Sequence, residues 1–505
     1  METTPHSPPL RTPRKWLRRI AWSALWLATI LTLAISLLNA YARHRYQTAL
    51  TNATAAGLPN SWDDVLLKPV EDTDNFGALQ DFKPFLAVEE VPTAPGPANP
   101  FGTKLNYLDE KGMEALKSLK PLKVSGGSLK SLGPFEARNL ADLRQKAIED
   151  NRLTLDSANL SDSDAILKVF ENIETLWLRL HAAKLRTHAV LFIPLKPSLM
   201  LVNPMLTPSL TLAHIAQLKA RAFIGTNRGA EALEECLLLL KIADLRTFPT
   251  LIEHLVRTTE IGILMPALYE GISQHVWSDA QLEAIEKKLA RYDLLSDLKQ
   301  ELGGEALFSR TINERIQSSK NKFSVAAMLG NWGQPSTLMR AEGLLSFVIP
   351  KTVLNILCTA NLETVVQMAG LLSEKDNPNL RGSARTHDLH WGPLNSIAGL
   401  GVPAIESVLK STARGQSLIN IARVALALER HRLKHGTFPS TLKELAPAYL
   451  PAIPVEVFDG APLHYTPKAN REGFTLYSTG WKGTDDGGVM DNTKPNETNW
   501  TWATP

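Results

Sequence analysis

The sequence predicts a mainly α-helical chain: one N-terminal transmembrane helix, an irregular α-helical domain and a small α+β region at the C-terminus. Three observations lead there. An uncharged apolar run occupies residues 20–42. A 3.6-residue apolar period recurs through most of residues 136–380. Two short alternating segments then flank a polar turn within residues 458–480. A chain of 505 residues is too long for one simple core, so two or three folded units are expected.

The first element is the anchor. Residues 20–42 are long enough for the ~20 residues that cross a bilayer as a helix. Trp16, Trp22 and Trp26 suit one interface and Tyr41 the other. Five Lys or Arg precede the run and two closely follow it, so the positive-inside bias assigns 1–19 as a basic cytoplasmic tail and everything beyond 42 as extracytoplasmic. A cleaved signal peptide is the alternative, with Ala40-Tyr41-Ala42 as its A-x-A site, but the apolar run exceeds the usual ~7–15 residues. The later apolar stretch at 344–372 is interrupted by Pro350, Lys351, Asn355, Asn361 and Glu363 and reads as core helices.

Charge and cysteine content narrow the class. Seven bases and one acid lie in the first 45 residues, leaving 47 bases against 50 acids in the body. A nucleic-acid binder would concentrate basic charge on its folded domain, so no nucleic-acid partner is expected. Cys236 and Cys358 are the only cysteines, which excludes a disulfide framework or a cysteine-built zinc site. Their apolar neighbours favour two buried thiols over a bridge.

Residues 43–110 form a post-anchor arm: the membrane helix continues briefly, Gly57 ends it, and a proline-rich stretch follows. Phe76, Phe82 and Phe85 favour an arm laid over the next domain rather than a free spacer. Residues 111–400 are the α-helical domain. Cap residues open "SDSDAILKVFENIETLWLRL", and Ser278 to Gln281 is a capping box. The helix–turn–helix around "GTNRGAEAL" resembles one tetratricopeptide-type unit, without a sustained ~34-residue period. Residues 381–400 break the periodicity as a connecting loop. In 401–505, "GQSLINIARVALALERHRLKHG" predicts a helix with Leu418, Ile421, Ala422, Ala425 and Leu428 inward and Gly436 at C′; a short capped helix and two strands follow.

The order "ALALERHRLKHGTFPSTLKELAPAYLPAIP", "FDGAPLHY", "GFTLYSTGWKGTDDGG" resembles the C-terminal head of type II secretion major pseudopilins over roughly the last 85 residues. As a whole, an anchor, a long helical domain and such a tail resemble bacterial membrane-anchored envelope proteins of uncharacterised role. The apolar run lacks the pseudopilin processing motif and its glutamate, and Glu456-Val457 replaces an aspartate-proline before the aromatic. Pilus-type assembly is therefore not expected. The family's loop binds calcium, and the resemblance implies Asp485, Asp486 and Asp491 as carboxylate ligands, with carbonyls near Leu476 and Ser478 assisting. A solvated glycine turn is the plain alternative.

Other chemistry is sparse. His431 and His435 are one helical turn apart, a zinc-compatible spacing without an evident third ligand. His387, Asp388 and His390 share a loop. No nucleophile elbow, H-E-x-x-H, P-loop or placed G-x-G-x-x-G occurs. The sequence therefore points to a single-pass inner-membrane protein whose partners are the bilayer, through 20–42, and other envelope proteins, beside a type II secretion-like or assembly system. An envelope hydrolase with its active site in the helical domain is the alternative.

Overall fold

The computed structural model describes residues 14–65, 67–86, 88–92, 103–107, 139–153, 159–191, 205–318, 351–372, 402–489 and 499–504. The chain is mainly helical, and one helix near the N-terminus is long and apolar enough to cross a membrane.

That helix, α1 (Arg14–Ala55), runs unbroken for 42 residues. Its apolar side chains stand exposed through Leu37. Beyond that point Ala42, Ala49 and Ala53 are buried on one face at helical spacing, so the same helix passes from free to packed without a hinge. Gly57, at φ +72°, ends it, with the Leu58 N–H reaching back to the Ala53 carbonyl.

The chain then lies against the helical body. Asn75 donates to the Val190 carbonyl and accepts from the Gly77 and Val190 N–H groups, and Phe76, Phe82 and Phe85 are buried. One helical turn, α2 (Lys83–Leu86), precedes an antiparallel hairpin of β1 (Val88–Pro92) and β2 (Thr103–Tyr107).

Three short helices, α3 (Leu140–Glu149), α4 (Asp162–Val169) and α5 (Glu174–Ala183), flank a hairpin of α6 (Leu206–Gly225) and α7 (Gly229–Ala243). Helix α8 (Leu251–Ser273) packs across both arms of the hairpin. Next come α9 (Asp279–Leu289), opened by the Ser278–Gln281 capping box, and α10 (Leu294–Ser318). Helix α11 (Lys351–Leu371) packs between α10 and α1.

Helix α12 (Val402–His435) begins thirteen residues before the predicted start at Gly415. Gly415, the first residue of the helix that the sequence predicts, is mid-helix. A Cβ there would fall 2.6 Å from Thr258 Cγ2, so the glycine permits close approach to α8. Residues 418–428 of α12 are mostly buried around the whole circumference, which makes it the central helix of the core.

The C-terminal sheet has three antiparallel strands, β3 (His464–Pro467), β4 (Phe474–Ser478) and β5 (Trp500–Ala503), in the order β3-β4-β5. Tyr465 and Trp502 both pair with Leu476. The sequence reading has two strands; the third, "WTWA", is too short to register as an alternating pattern and is fixed by pairing with β4. Trp500 and Trp502 are buried in a core continuous with the helices. The Tyr269 hydroxyl of α8 donates to the Ala503 carbonyl at 2.7 Å.

Candidate functional site

The acidic glycine loop that follows β4 is ordered by protein groups. Gly483, Gly487 and Gly488 all have φ near +70° to +81°, where a side chain is strained. Asn499, fully buried, holds the loop from inside: its Oδ1 accepts from the Asp486 and Gly488 N–H groups at 3.1 Å, and its Nδ2 donates to the Thr484 carbonyl at 2.8 Å. Asp485 Oδ1 accepts from the Gly487 N–H and the Tyr477 hydroxyl, both at 2.9 Å. Those two bonds hold the Asp485 carboxyl below its ordinary pKa, the Gly487 bond most strongly. The other Asp485 oxygen faces His464 Nδ1 at 3.4 Å.

Of the three carboxylates that the resemblance implies for calcium, Asp485 and Asp486 sit in this loop, and Asp491 lies outside the described residues. Leu476 and Ser478 are in the central strand. Calcium requires six to eight oxygens, and among the described residues no group of three or more His, Cys, Asp or Glu is placed to hold a metal ion. The donor set on view is therefore two carboxylates, one of which is already bonded to a hydroxyl and an amide.

Glu456, at the position of the departure noted in sequence, has a definite structural role. It is buried, and it accepts from the Ser478 hydroxyl at 2.7 Å and the Thr479 N–H at 2.9 Å, tying the exit of β4 to the preceding turn. Burial raises its pKa. His431 and His435 stack with ring centroids 4.3 Å apart, and His431 Nδ1 lies 3.0 Å from the Thr437 carbonyl, an arrangement that closes the helix end. His387, Asp388 and His390 lie outside the described residues. Cys236 and Cys358 are separate buried thiols; burial pushes Cys358 up to about 12.

A second feature was not legible in the sequence. A groove of about 790 Å³ separates the turn after α1 from the helical body. Gly303 and Gly304 of α10 make it: a Cβ on Gly303 would meet Pro59 Cδ at 2.9 Å, and one on Gly304 would meet the Pro249 carbonyl oxygen at 1.6 Å. Two backbone turns thus approach one helix and leave a cleft between them. Its walls combine apolar groups (Leu58, Val65, Phe248) with Asp64, Arg246 and Glu301.

Behind the groove lies an ionic cluster. Arg246 is 3.4 Å from both Glu301 and Asp297, and Arg257 donates to Asp297 at 2.7 Å. Lys288 donates to Asp244 at 2.7 Å, and Tyr292 also donates to Asp244 at 2.8 Å. Glu253 accepts from the Thr247 and Phe248 N–H groups. Burial, reinforced by the Glu253 charge, pushes the Glu301 carboxyl up to about 9, so it holds a proton at neutral pH. With Glu301 neutral, the carboxylates Asp244, Glu253 and Asp297 remain among the cations Arg246, Arg257 and Lys288. At the groove's other wall, the Asp64 carboxylate is held low by bonds from Ser61 and Asn60.

Comparison of the chain with protein-family models, curated proteins and solved structures finds no match. Function is therefore argued from this geometry and from the sequence resemblance alone.

Proposed function

We propose that the protein is a single-pass component of the bacterial envelope, anchored in the inner membrane with its N-terminus cytoplasmic, and that its extracytoplasmic helical body works by protein contact beside a secretion or assembly system. One observation carries the proposal: a helix exposed and apolar on every side for a membrane's thickness continues directly into the packed body. The asymmetry of Lys and Arg about residues 20–42 supports the orientation. The groove after α1, walled by both apolar and polar groups, is the concave surface that the contact role would use. The pseudopilin-like order of motifs in the cap supports the link to a secretion-like system, and the same resemblance carries the reading of its acidic loop as a calcium site.

The test is crosslinking in intact membranes from a photoreactive group at Lys299 in the groove wall, with protease accessibility of the body in spheroplasts as the orientation control. Recovery of an envelope component at Lys299, and not from an exposed control position, is expected. Recovery of the chain alone, under conditions that capture known secretion components, would count against the contact role.

A hydrolase is the second reading, and one observation favours it. The proton-holding Glu301 and the ionised Asp64 line the same groove, and an acid and a base with pKa values driven apart are what general acid–base chemistry requires. Turnover of an ester, peptide or glycoside substrate that is lost in both Glu301→Gln and Asp64→Asn would establish it; a folded wild-type chain that hydrolyses none of these would remove it.

A further inference from the structure

The junction between α1 and the body places the body relative to the bilayer. Residues 20–37 form an exposed apolar cylinder of about 27 Å at 1.5 Å per residue, close to the ~30 Å hydrocarbon core. Packing begins in the very next turn. Thr352, in the first turn of α11, hydrogen-bonds Asn39, and Glu363 pairs with Arg45. Tyr46 lies within electrostatic reach of both Glu314, near the end of α10, and Cys358 of α11. Asn361 donates to Ser309 at 2.8 Å, so α10 descends alongside α11 and finishes at the level where α11 starts. Both helix ends therefore surround α1 at residues 39–46, where the apolar run stops.

We infer that this end of the body, formed by the last turns of α10 and the first turn of α11, is seated on the bilayer surface, with lipid headgroups as its partner. The inference rests on the reading of α1 as a membrane span. If Arg19 marks the cytoplasmic boundary, the opposite boundary of an upright helix falls near residue 39. Tilting the helix shortens its projection along the membrane normal and moves that boundary to later residues, deeper into the packed part. No exposed stretch remains to serve as a stalk. The side chains exposed at this level suit a headgroup layer: Tyr41 exposes part of its aromatic ring while its side chain also bonds Arg45, and Arg43 and His44 are exposed near it. One consequence concerns the groove. Gly57 lies eighteen residues past Asn39, so on an upright helix the groove opens at a height of about 27 Å, within reach of a partner that is itself close to the membrane.

The test uses the full chain in nanodiscs of phosphatidylcholine and phosphatidylglycerol. The native thiols are buried, so single environment-sensitive fluorophores can be attached through Leu27→Cys, Gln317→Cys and Lys287→Cys. Leu27 is mid-span, and Gln317 is exposed at the end of α10. Lys287 is exposed on α9, beyond the opposite end of α10, about 36 Å away along that 25-residue helix. Each labelled variant is first required to match the wild-type thermal transition. Nitroxide lipids are then used as quenchers. Loss of the Leu27 signal to acyl-chain nitroxide, and severalfold stronger quenching at Gln317 than at Lys287 by headgroup nitroxide, are expected. Quenching at Leu27 with Gln317 no more quenched than Lys287 would overturn the seat and leave the anchor standing. An unquenched Leu27 would overturn the anchor, and the seat with it.

Discussion

Arg45 meets Glu363 in a two-pronged ion pair, Nε to Oε1 at 2.8 Å and Nη2 to Oε2 at 2.5 Å, three residues past the apolar run. The planar guanidinium matches the carboxylate fork, and both groups are partly shielded, so this contact exceeds an ordinary surface pair. It couples α1 to α11. Replacing Glu363 by Ala removes the carboxylate from this pair and is expected to lower stability by about 1–3 kcal/mol. Chemical unfolding of the chain in nanodiscs measures the loss, and the Arg45→Ala, Glu363→Ala double variant should be less than additive.

Glu301 gives a pH signature. Its folded pKa of about 9 is above the unfolded carboxyl value, so between the two the native state alone holds the proton. The native state's proton-linked advantage is complete below the unfolded pKa and is lost as pH rises to about 9. Glu301→Gln keeps the neutral shape and removes the titration. The variant should match wild type near pH 4 and exceed it increasingly toward pH 8.5, as read by urea unfolding at several pH values. A wild-type advantage that grows with pH would contradict the assignment.

The glycine pair in α10 supplies a contrast. Gly304→Ala would drive a methyl into the Pro249 carbonyl and should destabilise by about 1–3 kcal/mol or more. Gly262 in α8 has nothing within 4 Å of an added Cβ, so Gly262→Ala should stabilise by roughly 0.5–1 kcal/mol through helix propensity alone. Thermal unfolding of both variants checks the pair, and equal effects would argue against the close approach that forms the groove.

Asn499 is the keystone of the acidic loop. Asn499→Ala leaves the Asp486 and Gly488 N–H groups and the Thr484 carbonyl without their partner, at a cost of about 2–3 kcal/mol. Amide exchange at 484–488 should accelerate in this variant and hardly change elsewhere.

The same loop allows a direct test of calcium. If the cap takes up the ion, added calcium raises the unfolding temperature of the full chain, a chelator reverses the rise, and Asp485→Asn abolishes it. No shift in the wild type removes the calcium reading.

The helix-rich class and the long apolar N-terminal helix could be read from the chain because both depend on local properties: apolar length in residues 20–42, and a 3.6-residue period with capping residues such as Ser278 and Gln281. Residue spacing also revealed the β3–β4 hairpin. What lay out of reach depends on contacts between distant segments. Gly415 is only the first residue of a predicted helix until Thr258 is seen against it, and nothing local in Gly303-Gly304 announces the approach of Pro59 and Pro249. The strand "WTWA" exists because β4 offers it an edge. Glu301 is one acid among many in sequence; burial beside Glu253 is what leaves it protonated in the wall of a groove. Local sequence thus determined where the chain coils and which helix is long and apolar enough to cross a membrane, whereas the cleft, the buried charge cluster and the level at which the body packs on α1 arise from backbone approach and desolvation, which only the packed chain creates.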